Sequence, residues 1–430
     1  MTQLRVLICG AGIAGNALAF WLSKLGHSTT VIEHFPSLRA TGLQVDLRGP
    51  GIQVMQRMGL ETAFRARSVP EQGLQLVDRK GRRWGYFPAN RSGKGLQSFT
   101  TDFEIMRGDL CRLLHDATKD RAKYVFGQYV RRIEQTDDFA EVLFSDGSKE
   151  RFDLVVGADG QGSRTRKMML NADAADPFHP LGAYAGYFTI DQELQEGEGY
   201  NATAFIATQG RGIMTRRHDP SKFQAYLFCN PGSSDRLKLA SKGDTDEEKQ
   251  ALAEVFHGAG WQTEQILKGL ARSDDFYCER IGTVQLDHWS RARIALVGDA
   301  AYCPSAMTGM GTTCGIVGAY ILAGEIEKFC GRGSKDADVT VSKDSITTAL
   351  KSYEQKLRPF MDQVQKGLTD DQNYMDKFPS SSFGIAFIYA IFGIASFFRL
   401  DFIARWILRE DIKGWELPKY QEMLINVLDT

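Results

Sequence analysis

Residues 4–15 read Leu4-Arg5-Val6-Leu7-Ile8-Cys9-Gly10-Ala11-Gly12-Ile13-Ala14-Gly15. The first six are an apolar run of buried-strand length, and the glycines that follow fall at the spacing G-x-G-x-x-G. Ala14, Leu18 and Leu22, with Ala17 and Trp21 beside them, then recur at helical spacing up to Gly26, a helix stop. Ser28 to Glu33 is a second strand. In such a turn the first glycine permits the bend, the second lets a pyrophosphate reach the backbone and the third lets helix and strand pack closely, while the helix N-terminus adds partial positive charge. Gly10, Gly12, Ile13, Ala14 and Gly15 are the candidate phosphate-binding residues. Glu33, 18 residues after Gly15, is placed to accept hydrogen bonds from an adenosine ribose. The unit implies an adenine dinucleotide and leaves FAD and NAD unseparated.

The remaining chain fits an enzyme built around that unit. Its 430 residues exceed the size at which single cores stop growing, which favours two closely packed domains. With 52 Lys+Arg against 53 Asp+Glu, the net charge of −1 carries no basic stripe for nucleic acid and no polybasic cluster for an acidic membrane. Small, mostly apolar ligands are the expected partners, and monomer or weak dimer is the expected state. The seven cysteines, dispersed from Cys9 to Cys330, show no CxxC and no ligand spacing with histidine. No metal site or disulfide framework is expected, and a reducing, cytoplasmic compartment follows. The chain enters an apolar strand at Leu4, so no leader segment is expected.

The pattern along the chain predicts an α/β fold: a Rossmann-type nucleotide-binding domain with an inserted α+β substrate domain and C-terminal helices. Residues 104–118 have helical periodicity, and 139–151 read as a hairpin turning at Asp146-Gly147. Strand-like alternation then runs through Tyr184 to Ile190, Thr203 to Arg216 and Phe223 to Cys229, broken by a helical stretch near 246–271. A buried strand returns at Arg293 to Val297, followed by a helix of small residues near 311–329. The expected boundaries are 1–174 and 286–375 for the nucleotide-binding domain, 175–285 for the substrate domain and 376–430 for the C-terminal segment. Gly331 to Ser345 is expected to be a loop. Phe383 to Phe398 is 16 residues without a charge, short of the roughly 20 a spanning helix needs, so a buried or interface helix is expected there and membrane association is not.

Two further segments separate FAD from NAD. Asp153-Leu154-Val155-Val156-Gly157-Ala158-Asp159-Gly160, followed by Ser163 and Arg166, resembles the second fingerprint of flavoprotein hydroxylases. Arg293-Ile294-Ala295-Leu296-Val297-Gly298-Asp299-Ala300-Ala301, followed by Pro304 and Gly309-Met310-Gly311, resembles their third. From residue 4 to about 360 the chain resembles single-component FAD monooxygenases of the p-hydroxybenzoate hydroxylase type, least in the middle domain. Between His288-Trp289 and Gly311, and in its C-terminal region, it is most similar to tetracycline-inactivating monooxygenases and fungal secondary-metabolite hydroxylases.

The resemblance implies FAD as cofactor, NADPH or NADH as transient reductant, dioxygen as co-substrate and a flavin hydroperoxide that oxygenates an aromatic, enolic or polyketide-like molecule. An isolated Gly-Asp pair would be only a helix cap. In the family Asp299 binds the ribityl chain, Pro304 and Gly309 to Gly311 approach the flavin, and Asp159 belongs to the second fingerprint. Arg107, alone a surface ion-pair candidate, is placed against FAD by the helix-start pattern Glu104-Ile105-Met106-Arg107-Gly108-Asp109-Leu110. Gly42-Leu43-Gln44-Val45-Asp46-Leu47-Arg48 resembles the flavin-side loop, with Asp46 a cofactor contact; Arg39 is assigned to the reductant's phosphate or the adenosine end. Relatives often carry arginine where this chain has His34, which leaves adenosine binding open in detail. Tyr353 to Pro359 matches a helical motif of structural role. Tyr187, Met214, Arg216 and Tyr226 are the substrate candidates, though alternation does not say which face meets the flavin. No acid, base or nucleophile is assigned. The alternatives are Baeyer–Villiger insertion into a ketone and a non-catalytic ligand-sequestering flavoprotein; a flavin halogenase is disfavoured because its WxWxIP segment is absent.

Overall fold

The computed structural model describes residues 3–39, 42–90, 101–170, 174–230, 235–240, 243–331, 343–368, 380–398 and 412–424. Of the expected loop 331–345, residues 332–342 lie outside these, as do 376–379, 399–411 and 425–430 of the C-terminal segment.

The nucleotide-binding sheet has six strands: β17 (Ser290–Arg291), β18 (Ile294–Leu296), β11 (Leu154–Gly157), β1 (Arg5–Cys9), β2 (Ser28–Glu33) and β7 (Lys123–Phe126), in that order. All neighbours are parallel except the β17 edge. Parallel strands buried on both sides read as continuous apolar runs, which is why Leu4 to Cys9 and Leu154 to Val156 were legible as strands. A three-stranded sheet, β10 (Lys149–Phe152), β9 (Ala140–Phe144) and β8 (Val130–Gln135), covers one side. Its β9–β10 turn holds Gly147 at φ 86°, as the Asp-Gly reading required.

Helices α1 (Ile13–Lys24), α4 (Arg107–Asp116), α10 (Gly311–Cys330) and α11 (Lys343–Gln365) enclose the main core, with the short α2 (Pro50–Arg57), α3 (Glu61–Arg65), α5 (Arg164–Met169) and α9 (Asp299–Tyr302) around it. The small residues of α10 have a packing cause. A Cβ at Gly315 would sit 3.4 Å from the Cβ of Ala14 on α1, and one at Gly318 would overlap the Tyr302 hydroxyl. That hydroxyl meets Tyr353 at 3.0 Å, and Tyr353 donates to the Leu296 carbonyl at 3.1 Å, so the 353–359 motif ties α11 to β18.

The second sheet runs β16 (Tyr277–Val284), β12 (Phe178–Asp191), β15 (Lys222–Cys229), β14 (Arg211–Asp219), β13 (Asn201–Ala207), β4 (Gly73–Val77), β5 (Arg83–Pro88). Strands β4 and β5 come from residues assigned by sequence position to the first nucleotide-binding stretch; parallel pairing of β4 with β13 carries them into this sheet. On its outer face, Tyr184, Phe188 and Ile190 pack against α7 (Thr245–Phe256) and α8 (Thr263–Arg272), beside α6 (Asp235–Ala240). Its inner face turns towards the nucleotide-binding sheet, bridged by the ribbon β3 (Gln44–Asp46) and β6 (Glu104–Met106). Helix α12 (Ser382–Phe397) packs across β5. The sequence expectation of a buried helix holds for one side of α12 only, since Phe383, Phe387, Ile394 and Phe397 are exposed. Among the described residues no helix is long and apolar enough to cross a membrane, and no group of His, Cys, Asp and Glu is arranged to hold a metal.

Candidate active site

Strands β1, β11 and β18 end side by side, and their C-terminal loops carry the three motifs, as expected where a parallel sheet binds a ligand. Each glycine of the first turn has a distinct reason. Gly10 has φ 110°, and a Cβ there would lie 2.6 Å from the Ala158 carbonyl oxygen. A Cβ at Gly15 would overlap the Gly10 carbonyl oxygen. At Gly12 a Cβ would meet nothing within 4 Å, so this position faces open space. Gly12 caps α1, whose first turn has no acidic residue and no side-chain cap, which leaves the positive helix end available to an anion. Ile13 and Ala14, candidates by sequence for the phosphate, lie in that first turn.

A cavity of about 410 Å³ opens beside Gly12 and is lined by Glu33, His34, Arg39, Arg107 and Asp159 among others. The Glu33 carboxylate accepts from the Ala11 amide at 2.9 Å and the Phe35 amide at 3.0 Å, one per oxygen, so lone pairs remain for ribose hydroxyls. Arg39 lies over the rings of Phe35 and Tyr277, 5.4 and 5.5 Å from their centroids, and so spans the nucleotide cavity and the second sheet. Asp159 is spent within the chain: it accepts from the Ser163 hydroxyl, the Thr165 amide at 2.9 Å and the Thr165 hydroxyl at 3.0 Å. Its carboxylate builds the turn into α5, and sequence position alone could not distinguish that from a cofactor contact. Arg164 and Tyr129, a stacked pair 4.5 Å apart on the cavity wall, were not anticipated.

The other end of the site is built at α9 and α10. Gly298 (φ 65°), Ser305 (φ 71°) and Gly309 (φ 64°) give the segment through Pro304 its sharp course, and a Cβ at Gly309 or Gly311 would meet no atom within 4 Å. Gly12, Gly160 and Gly162 line the nucleotide cavity and leave room for a pyrophosphate, and Gly309 and Gly311 leave room for a flat ring beside the α10 N-terminus, so the residues present fit FAD. Arg107 donates its backbone amide to the Leu43 carbonyl at 2.8 Å, and its side chain runs along Gly42. Asp46 is ion-paired with the buried Arg48, whose amide donates to Thr313 Oγ1 at 2.9 Å, so this pair anchors the flavin-side loop to α10.

Asp299 is partly buried. Burial pushes its carboxyl up, opposed by the Arg107 charge and a hydrogen bond from the Cys303 thiol. Glu279 on β16, absent from the sequence candidates, is pushed up to about 7 by burial and by Asp299, against Arg107. The Arg107 charge thus acts on both carboxylates, opposing the rise that burial causes in each.

The inner face of the second sheet supplies an aromatic wall. Tyr277, Tyr187, Tyr226 and Met214 lie directly opposite one another across β16, β12, β15 and β14. Ring centroids are 4.9 Å apart for Tyr187 and Tyr277 and 5.5 Å for Tyr187 and Tyr226. Leu43, Met307 and Leu368 pack on the same cluster, so this wall faces the flavin-side segments and three of the four substrate candidates share it. Tyr277 was missed because strand pairing, which alternation does not reveal, brings it into the row. Arg216, the fourth candidate, is not open to a ligand. It is engaged by Glu71, with Nε and Nη2 bonds of 2.8 and 2.7 Å, and by Glu104. Gln44 joins both carboxylates, and its amide meets Gln224 and the Tyr226 hydroxyl. Burial raises Glu104, with the Arg216 charge opposing and Glu71 adding to the rise.

Comparisons with known proteins agree with this geometry. The family described as FAD binding domain matches residues 3–364. The chain is 48% identical to FAD-dependent monooxygenase asL4 of Sarocladium schorii, over 99% of this chain and 100% of that one. It is 41% identical to flavin-dependent monooxygenase eupH of a Phoma species, over 92% and 93%. Among solved structures, tetracycline destructase Tet(55) superposes with a TM-score of 0.77 at 28% identity, covering 97% of this chain and 99% of that chain. The glycine turn, the two later fingerprints and these likenesses converge: the chain belongs to the FAD binding domain family and is an FAD-dependent monooxygenase of the p-hydroxybenzoate hydroxylase type.

Proposed function

We propose that the protein hydroxylates an electron-rich, largely apolar small molecule, aromatic, enolic or polyketide-like, at the expense of NADH or NADPH and dioxygen. The observation that carries this reading is the in-register wall of Tyr277, Tyr187, Tyr226 and Met214, packed against Leu43 and Met307 of the flavin-side segments. FAD, when bound, supplies dioxygen activation and the transfer of one oxygen atom. The chain's own groups bind, orient and shield. Gly10, Gly12, Ile13, Ala14, Gly15 and Glu33 hold the adenosine and pyrophosphate. Asp299, Pro304, Gly309 and Gly311 hold the ribityl chain and ring, with the α10 N-terminus favouring negative charge there.

The tyrosine wall offers ring faces and edges to a planar substrate and excludes water from the reacting atoms. Tyr187 and Tyr226 stay neutral, since burial raises both hydroxyls, Tyr226 to about 12, so they serve as hydrogen-bond donors or acceptors and not as bases. The Arg107 charge favours the ionised forms of both Glu279 and Asp299. Tetracycline, named for the structurally similar Tet(55), shows the size of ligand to try first among fused-ring phenols.

The test is a panel of phenols, anthraquinones, tetracyclines and ketones, each read by NAD(P)H consumption and product mass. The expected result is consumption prompted by one class, with a hydroxylated product heavier by one oxygen atom. An ester or lactone from a ketone would replace hydroxylation with Baeyer–Villiger insertion. Tight ligand retention with no consumption across the panel would make the protein a sequestering flavoprotein.

A further inference from the structure

Helix α12 carries no charged residue, and both of its sides are apolar. One side is committed to the second sheet. Tyr389 donates to the Val77 carbonyl at 2.6 Å and accepts from the Ile206 amide at 3.2 Å, and Ser396 meets the backbone of Tyr86 at 2.8 and 3.0 Å. Gly85 and Gly393 admit the close approach of helix and strand: a Cβ on either would lie 3.2 Å from backbone of the other element. The helix is therefore fixed, and its opposite side is set by that fixation.

That side presents Phe383 (85% exposed), Phe387 (61%), Ile391 (40%), Ile394 (57%), Phe397 (81%) and Phe398 (64%). At about 100° per residue these fall within one arc of about 120°, where a surface helix of a globular protein carries charged and polar side chains. Taking about 200 Å² per aromatic side chain, the four phenylalanines alone expose roughly 600 Å², the upper end for the largest apolar patch of a monomer.

The β4–β5 turn and the start of β5 read Asp78-Arg79-Lys80-Gly81-Arg82-Arg83-Trp84, and Gly393 of α12 approaches the backbone of Trp84. The cations of this stretch and Trp84 are exposed, and the Trp84 ring lies tilted against Tyr389 of α12 with centroids 5.9 Å apart. Arg82 pairs with Asp78 at 2.9 Å, which leaves the turn strongly cationic. The whole-chain balance of −1 conceals this local basic tip of Arg79, Lys80, Arg82 and Arg83, which runs against the sequence expectation of no polybasic cluster and no membrane association. An apolar stripe flanked by cations and a half-exposed tryptophan is the composition of an element that lies in the headgroup plane of an anionic bilayer. At 16 residues, about 24 Å, and with one side held by the sheet, α12 lies along such a surface and does not enter it end on.

We propose that the α12 stripe and the 79–84 turn dock this protein on the surface of an anionic membrane. A second copy of the chain would bring an identical cationic turn to the same patch, whereas an acidic lipid surface complements it. The docking itself does not depend on the reading of the reaction. One consequence does rest on the proposed function. The inner-face row continues from Met214 to Ala204 and Leu76, which pack under Ile385 and Tyr389, so docking would place the outer end of the substrate-facing sheet against lipid, the store of apolar substrate.

The test is flotation of the FAD-loaded protein with phosphatidylcholine vesicles, with and without phosphatidylserine, at low and high salt. Wild type is expected to float with the phosphatidylserine vesicles and to do so less as salt rises. The double variant F387S/F397S is expected to lose partitioning by more than about tenfold, while K80E/R83E is expected to lose the phosphatidylserine preference. Both sets of side chains point to solvent, so unchanged FAD content and circular dichroism would show intact folds. Wild type remaining unbound with every vesicle would overturn the proposal. So would a concentration-dependent dimer that F387S/F397S converts to monomer while vesicle binding is unchanged, because the stripe would then be a contact between copies. Failure of the substrate panel with intact vesicle binding would remove the catalytic reading and leave the docking in place.

Discussion

Gly12→Val separates holding the cofactor from holding the fold. Gly12 has φ −73° and ψ −172°, an extended conformation open to any residue, and a Cβ there meets nothing within 4 Å. The apoprotein should therefore keep its stability to within about 0.5 kcal/mol, as for a surface substitution. The added side chain fills the space in which the pyrophosphate meets the α1 amides. Losing two charge-assisted hydrogen bonds there, at about 1.5–3 kcal/mol each, weakens FAD by roughly a hundred- to ten-thousand-fold. The assay is FAD titration of apoprotein by flavin fluorescence, with denaturant unfolding of the same sample. Gly15→Ala is the contrasting control, because its Cβ overlaps the Gly10 carbonyl oxygen and the turn itself must shift, at about 1–3 kcal/mol. A Gly12→Val protein that binds FAD as wild type does would refute the placement of the pyrophosphate, and one that unfolds as apoprotein would refute the reading of open space.

Asp299→Ala should lower FAD retention and abolish NAD(P)H turnover; filtration followed by flavin absorbance reads the first, and unchanged retention and rate would remove Asp299 from the site. Arg216→Met should cost about 3–5 kcal/mol in urea unfolding, since it leaves Glu71 and Glu104 buried without their cation, and an unchanged midpoint would show that the network contributes nothing. Glu279 gives a pH test. Its folded-state pKa is raised to about 7, so it contributes stability below the ordinary glutamate range that is lost as pH rises through about 7, where a second charge appears beside Asp299. Wild-type stability should fall as pH rises from about 4.5 to about 7 and level off above that, and Glu279→Gln should flatten this slope in unfolding curves taken from about pH 4 to 9. Parallel profiles for the two proteins would contradict the assignment.

What the sequence reveals here follows the range of the interactions involved. The glycine turn and the buried strands were legible because each depends on neighbours within a few residues, whereas Asp299 rests on the resemblance of its segment to a family fingerprint. Alternation left the face of Tyr187, Met214 and Tyr226 open, and strand pairing puts all three on one. Arg216 was misread as open because its partners lie 112 and 145 residues away, and no local pattern announces a buried pair at that separation. Tyr277 and Glu279 depend on the register of β16 against β12, and β4 and β5 on a parallel pairing with β13, all settled by tertiary structure. In α12 the apolar run was plain, but a helix apolar all round has no periodicity to say which side faces solvent.

The central claim is an FAD seated where the loops after β1, β11 and β18 meet. It is tested most directly by the flavin content of the freshly purified chain, read by absorbance and by the mass of the molecule released on denaturation. The expected result is a yellow protein that releases one FAD per chain. A colourless protein that takes up no FAD on incubation would contradict the account.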